Sequence, residues 1–134
     1  MAKNEWTFSN TVRWSGRKEG VLNETGKPEV PMGTPPDFGG PEGVWSPEDM
    51  LIAAVNTCIM TTFLYLCEKE KVEPRGYESS AEGKLVYGKG GLSFSRIDIR
   101  PTIGVDSEEA QEKTQEIIER AERTCLISRT LKCE

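Results

Sequence analysis

Four cysteines, at 58, 67, 125 and 133, and the absence of any histidine limit the chemistry open to this chain of 134 residues. Without histidine, Ser-His-Asp and Cys-His mechanisms are excluded, so an activated thiol must draw on arginine, lysine, a helix terminus or burial. No Cys-x-x-Cys pair exists, and a closed zinc site would need all four thiols to converge. Secretory features are lacking, so catalytic or inert thiols are expected rather than a disulfide framework. Two cysteines stand in stretches that can present reactive side chains. One is Ser46-Pro47-Glu48-Asp49-Met50-Leu51-Ile52-Ala53-Ala54-Val55-Asn56-Thr57-Cys58, a capped helix start running into an apolar helix, and the other is Cys125-Leu126-Ile127-Ser128. Together they read as a two-thiol redox site.

The remaining thiols fit less well. Cys67 lies nine residues beyond Cys58, about 13 Å along the same helix and half a turn round it, out of disulfide reach. It is expected to be an inert core thiol. Cys133 stands one residue before the end of the sequence and is a possible competitor of Cys125.

Composition narrows the partners. A net charge of -5 and a pI near 5.0 leave no broad basic face for phosphates, so nucleic acid is not expected to bind. No cationic segment precedes an apolar run at the N-terminus. The longest apolar stretch, Met50 to Cys67, is broken by Asn56, Thr57, Thr61 and Thr62. The expectation is a single-domain cytoplasmic protein with no membrane span.

The elements that must hold the thiols follow from periodicity. Trp6, Phe8, Val12 and Trp14 share one parity, the pattern of a strand with one buried face. Gly20–Glu24, a turn at Thr25-Gly26-Lys27 and Pro28-Glu29-Val30 continue as a hairpin, so residues 1–32 are expected to form a three-stranded sheet. Residues 33–45 are too rich in proline and glycine for helix or central strand, and Phe38 and Trp45 make this loop a candidate pocket wall. Ser46 as N-cap, Pro47 at N1 and Asp49 completing a capping box predict a helix over 46–70. Its apolar residues point nearly all round the cylinder, as in a helix enclosed by other elements. In 75–134, Tyr77, Leu85 and Tyr87 predict a strand, Gly88–Gly91 a turn, and Leu92 to Ile103 a returning strand with a bulge between Phe94 and Ile97. Asp106-Ser107-Glu108-Glu109 opens a second helix with a narrow stripe of Ala110, Ile117, Ile118 and Ala121.

The Ser-Pro-Glu-Asp-Met-Leu…Cys58 block resembles the (Asn/Ser)-Pro-Glu-x-Leu-x-Ala-Ala-x-x-x-x-Cys signature of the OsmC/Ohr family, the osmotically inducible and organic hydroperoxide resistance proteins. Cys125-Leu126-Ile127-Ser128 resembles the family's Cys-Pro-x-Ser motif, with Leu126 in place of proline, and Gly16-Arg17-Lys18-Glu19-Gly20 resembles its Gly-Arg element. The resemblance implies an α/β (α+β) fold in which two antiparallel three-stranded sheets per chain wrap central apolar helices in an intertwined homodimer. It also implies a thiol peroxidase acting on organic hydroperoxides. Cys58 would attack the peroxide, Cys125 would resolve the sulfenic acid into a disulfide, and an external dithiol such as a lipoylated protein would restore both thiols without a bound cofactor. Arg17 would hold the thiolate and polarise the peroxide, and Glu48 would hold Arg17 by an ion pair.

Glu48 and Cys58 are ten residues apart, about 15 Å along one helix, so Arg17 must bridge them or a second subunit must supply one side of the site. The rival reading is a noncatalytic, stress-related binding homodimer of the same fold, its cysteines serving as buried hydrophobes.

Overall fold

A computed structural model describes residues 4–134. Packing divides the chain into two compact units, one ending at Met50 and one running Leu51–Glu134.

The first unit is built on an antiparallel sheet of β1 (Thr11–Gly16), β2 (Glu19–Asn23) and β3 (Val30–Gly33), in that order. The strand predicted from Trp6 begins only at Thr11, and residues 4–10 have no regular structure. The alternating aromatics therefore did not mark one continuous strand. Nor is their face covered in the single chain: Val12 and Trp14 lie on β1 at 64% and 76% exposure. The hairpin of β2 and β3 forms as expected, with Val21 opposite Pro31 and Leu22 opposite Val30. After β3, one 3-10 turn at Pro36–Phe38 interrupts the loop. The loop base is closed where the Gly33 amide donates to the Trp45 carbonyl at 2.9 Å.

Helix α1 (Pro47–Glu70) starts where the capping residues put it. The Asp49 amide donates to Ser46 Oγ at 3.1 Å, and the Ser46 amide donates back to Asp49 Oδ2 at 3.0 Å, which satisfies two helix-end donors reciprocally. At the other end Lys71 takes a left-handed conformation (φ 58), and the Val72 amide reaches the Cys67 carbonyl at 2.9 Å. This is a Schellman closure without glycine. By length and composition α1 could cross a bilayer, but one face is used for a protein core.

That core fills the second unit. Val55, Ile59, Phe63 and Cys67, four residues apart along α1, meet Ile117, Ile118 and Ala121 of α2 (Glu108–Thr124) and also Cys125. The i, i+4 spacing places them on one stripe. Helix α2 opens as predicted, Ser107 Oγ accepting from the Ala110 amide at 3.1 Å.

The second sheet has two strands, β4 (Gly76–Gly88) and β5 (Gly91–Gly104), where three were expected. The sequence holds apolar alternation for only two runs here, joined by a two-residue turn at Lys89-Gly90. The expected bulge is present: Leu85 faces Phe94 and Lys84 faces Arg96, leaving Ser95 unopposed. Phe94, Ile97, Ile99 and Ile103 thereby align opposite Leu85, Gly83, Ala81 and Tyr77. Ile52 of α1 packs directly over Gly83, where a side chain would collide with it.

Candidate active site

Arg17 sits at the tip of the β1–β2 hairpin. Gly16 (φ 130) and Arg17 (φ 49) make the reversal, so a non-glycine residue is held in the left-handed region, a conformation costing about 1 kcal/mol or more. Trp14 Nε1 donates to the Arg17 carbonyl at 2.8 Å and fixes the turn from below. The side chain borders a cavity of about 460 Å³ whose walls include Trp14, Met32, Phe38 and Glu48. Phe38 is a wall, as the loop composition suggested. Trp45 is not; it serves the loop base through its backbone.

Arg17 and Glu48 thus share one cavity, but among the described residues they do not form an ion pair. Glu48 lies in the first turn of α1, and its Oε1 is buried without a hydrogen-bond partner. A buried carboxylate oxygen left unpaired is costly.

The two thiols lie in the second unit. Cys58 is half-buried on α1, its Sγ 3.9 Å from Thr62 Oγ1. Cys125 is fully buried at 0% exposure, at the junction of α2 and α3 (Leu126–Thr130). Although 67 positions separate them in the sequence, they share one core: Cys58 packs against the buried cluster that contains Cys125. Burial pushes the Cys125 thiol up, but the Ser128 hydroxyl, the amides of Ser128 and Ile127, and the Cys58 thiol outweigh it, so its pKa falls below the ordinary thiol value. Donors aimed at a sulfur favour its thiolate. Leu126 does not prevent this arrangement. Helix α3 begins at Leu126 without proline, and Cys125 is anchored from both sides: its amide donates to the Ala121 carbonyl, and its carbonyl accepts from the Arg129 amide.

Cys67 is buried and its thiol is pushed up by that burial, as befits a core thiol. Cys133 borders a separate cavity of about 290 Å³ with Ser128 and Glu122. The Glu122 carboxyl is raised, by burial first and by Glu119 second. Among the described residues no group of three or more His, Cys, Asp or Glu side chains is arranged to hold a metal ion. Ser128 and Lys18 stand in motifs the sequence singled out, beside Cys125 and Arg17, but were given no role of their own. Ser128 carried a usable signal, its i+3 spacing from Cys125 being that of side chains sharing a helix turn. Lys18 carried none.

The profile of the OsmC-like protein family matches residues 40–134. The chain belongs to the OsmC-like family. The matched region contains Glu48, Cys58 and Cys125, while Arg17 lies before it. Among individual proteins, the chain is 25% identical over 128 residues to the uncharacterised protein YmaD of Bacillus subtilis strain 168, covering 92% of this chain and 85% of YmaD. An OsmC-like protein of unknown function from Vibrio cholerae shares the fold with a TM-score of 0.86 at 19% identity, over 97% of this chain and 96% of that one. An organic hydroperoxide resistance protein from Elizabethkingia anophelis superposes with a TM-score of 0.76 at 20% identity, over 96% and 90% of the two chains. The OsmC-like fold therefore extends across the first unit as well as the second.

Proposed function

We propose that this OsmC-like protein is a cytoplasmic, thiol-dependent reductase of organic hydroperoxides. The observation that carries the reading is the placement of both cysteines on one core, Cys125 inside the buried cluster of the second unit and half-buried Cys58 packed against that cluster. In this reading the Cys58 thiolate attacks the outer peroxide oxygen, the O–O bond breaks, and the alcohol leaves after taking up a proton. Cys125 then attacks the sulfenic sulfur, expelling water and forming a disulfide. An external dithiol, such as that of a lipoylated protein, reduces the disulfide and is itself oxidised to a cyclic disulfide. Arg17 stabilises the thiolate and the departing oxygen, and Glu48 supplies the acceptor that orients the guanidinium.

Apolar walls at Trp14, Met32 and Phe38 favour an organic body on the peroxide. The name of the Elizabethkingia neighbour supports the same substrate class. The working form in this reading is a homodimer. Helix α1 is apolar on nearly every side, yet only the Val55, Ile59, Phe63 and Cys67 stripe is buried, and Leu64 and Tyr65 remain exposed. A second copy would cover that face.

Consumption of cumene hydroperoxide by the purified protein with dihydrolipoamide tests the reading. Cys58→Ser should reduce turnover to background. Cys125→Ser should give one fast reduction followed by overoxidation of Cys58, seen by mass spectrometry as added oxygen on that peptide. Full activity in Cys58→Ser protein overturns the mechanism, and sedimentation of an active monomer overturns the dimer.

A further inference from the structure

Two consecutive cations stand at the β1–β2 tip, and they are used differently. Arg17 borders the cavity with no ion-pair partner among the described residues, whereas Lys18 turns to the loop that forms the opposite wall. Its carbonyl accepts from the Thr34 amide at 3.0 Å, and its ammonium donates to the Phe38 carbonyl at 3.0 Å. One residue thus grips the loop at two points, Thr34 and Phe38.

Around the second grip the loop closes on itself. The Phe38 and Gly40 amides both donate to the Pro35 carbonyl, and the Gly39 amide donates to the Pro36 carbonyl. Gly39 is left-handed (φ 87), and a Cβ there would stand 2.8 Å from Lys18 Nζ. At Gly40 a Cβ would fall on the Thr34 carbonyl. Gly40 is therefore demanded by the close approach of the Thr34 backbone, and Gly39 by its left-handed conformation. Three prolines, at 35, 36 and 41, further reduce the states the free loop can visit. The product is a wall braced by its own backbone hydrogen bonds, and the strap that ties it to the Arg17 turn is Lys18.

We propose that Lys18 is a positioning residue that sets substrate selection, holding Phe38 so that the cavity accepts hydroperoxides with a compact aromatic or branched alkyl body. The inference rests on the reading that this cavity holds the organic part of the substrate. Lys18 touches no reacting atom; it acts through the loop. Preorganising an apolar wall improves binding because the ordering cost is met before the ligand arrives. Hydrogen peroxide has no organic body and gains nothing from the wall.

The test separates this role from the chemistry. In a Cys58→Ser background, the probe is 2-phenyl-2-propanol, the alcohol left when cumene hydroperoxide is reduced, and its binding is followed by tryptophan fluorescence and calorimetry. Lys18→Met should weaken binding about fivefold, and Lys18→Arg, which still donates to a carbonyl, should stay within about twofold. Chymotryptic cleavage after Phe38 should accelerate in Lys18→Met and not in Lys18→Arg. With Cys58 intact, the KM for cumene hydroperoxide should rise in Lys18→Met more than that for hydrogen peroxide. Lys18→Met protein that binds the alcohol like the parent, or keeps Phe38 equally protected, overturns the proposal, as does a parent that does not bind the alcohol at all. If the Cys58→Ser parent binds the alcohol but protein with Cys58 intact consumes no hydroperoxide, the peroxidase reading is overturned and the role of Lys18 stays in place.

Discussion

In the unit ending at Met50, Arg17 is carried by a hairpin tip whose neighbours Trp14 and Phe38 are exposed, and its position depends on backbone hydrogen bonds and a strained turn. In Leu51–Glu134, Cys125 is sealed among Phe63, Ile117 and Ala121 and held by the ends of two helices. The contrast follows from what each group needs. A guanidinium keeps its charge almost anywhere and is most useful where a ligand can reach it, so a turn is sufficient. A buried thiol such as Cys125 needs donors aimed at its sulfur to offset the cost of burial, and a packed interior can hold such donors in place. Stability is thereby assigned to one unit and ligand access to the other.

The largest test of that division is a pair of equal cuts. Phe63→Ala, at a fully buried ring, should cost about 3–5 kcal/mol of folding stability. Phe38→Ala, at a ring that is 43% exposed, should cost under about 1 kcal/mol while impairing hydroperoxide binding. Denaturant unfolding of both variants decides it, and comparable losses would erase the distinction between the units.

A smaller effect sharpens it at Arg17. Because its backbone is left-handed (φ 49), Arg17→Gly should stabilise the fold by up to about 1 kcal/mol. The same change should slow peroxide attack about tenfold or more, since the charge that favours thiolate and leaving oxygen is gone. Thermal melts and single-turnover rates should thus move in opposite directions. If both fall together, the strain at residue 17 has another origin.

The smallest effect lies at the end of α1. Lys113 Nζ and Arg120 Nη2 each stand 2.8 Å from the carboxylate of Glu70. The hydrogen bond from Lys113 first, and that from Arg120 second, lower the Glu70 carboxyl from the usual 4.5 to about 2. A depressed carboxyl stabilises the fold fully above its unfolded value, and the contribution is lost as pH falls through the folded one. The clamp should therefore weaken between about pH 4.5 and about pH 2, and Glu70→Gln should flatten the acid limb of the melting curve in that window. Because the pair is solvent-screened, the change near neutrality should be slight.

How much of this was legible depended on range. The Ser46–Asp49 capping box, the Ser107 cap and the bulge at Ser95 are decided by residues within a few positions of one another, and each was readable. Their energies are local. The strand expected from Trp6 failed because side-chain parity records a face, not a partner, and residues 4–10 are not paired into either sheet of this chain. The third strand of the second sheet had no sequence run to carry it. At the candidate site, the thiols and Arg17 were suggested by type and resemblance, whereas the grip of Lys18 on Phe38 spans twenty positions and depends on where a loop lies. Ser128 is intermediate: its spacing was visible, but its donation to a buried sulfur follows only once α2 and α3 meet at Cys125.

The unopposed Ser95 also governs which length changes β5 can tolerate. Side chains alternate along a strand, so the single extra residue is what lets Phe94 and Ile97 face the same way. Removing one residue from 94–97, or adding one, would turn Ile97, Ile99 and Ile103 outward together and present polar neighbours to Ile52 and Gly83. Insertions and deletions should therefore be accepted at this position only in pairs, while the Lys89-Gly90 turn, which lies beyond the last facing pair, can vary freely in length. Homologous chains that differ in length across this hairpin should carry the difference at its tip.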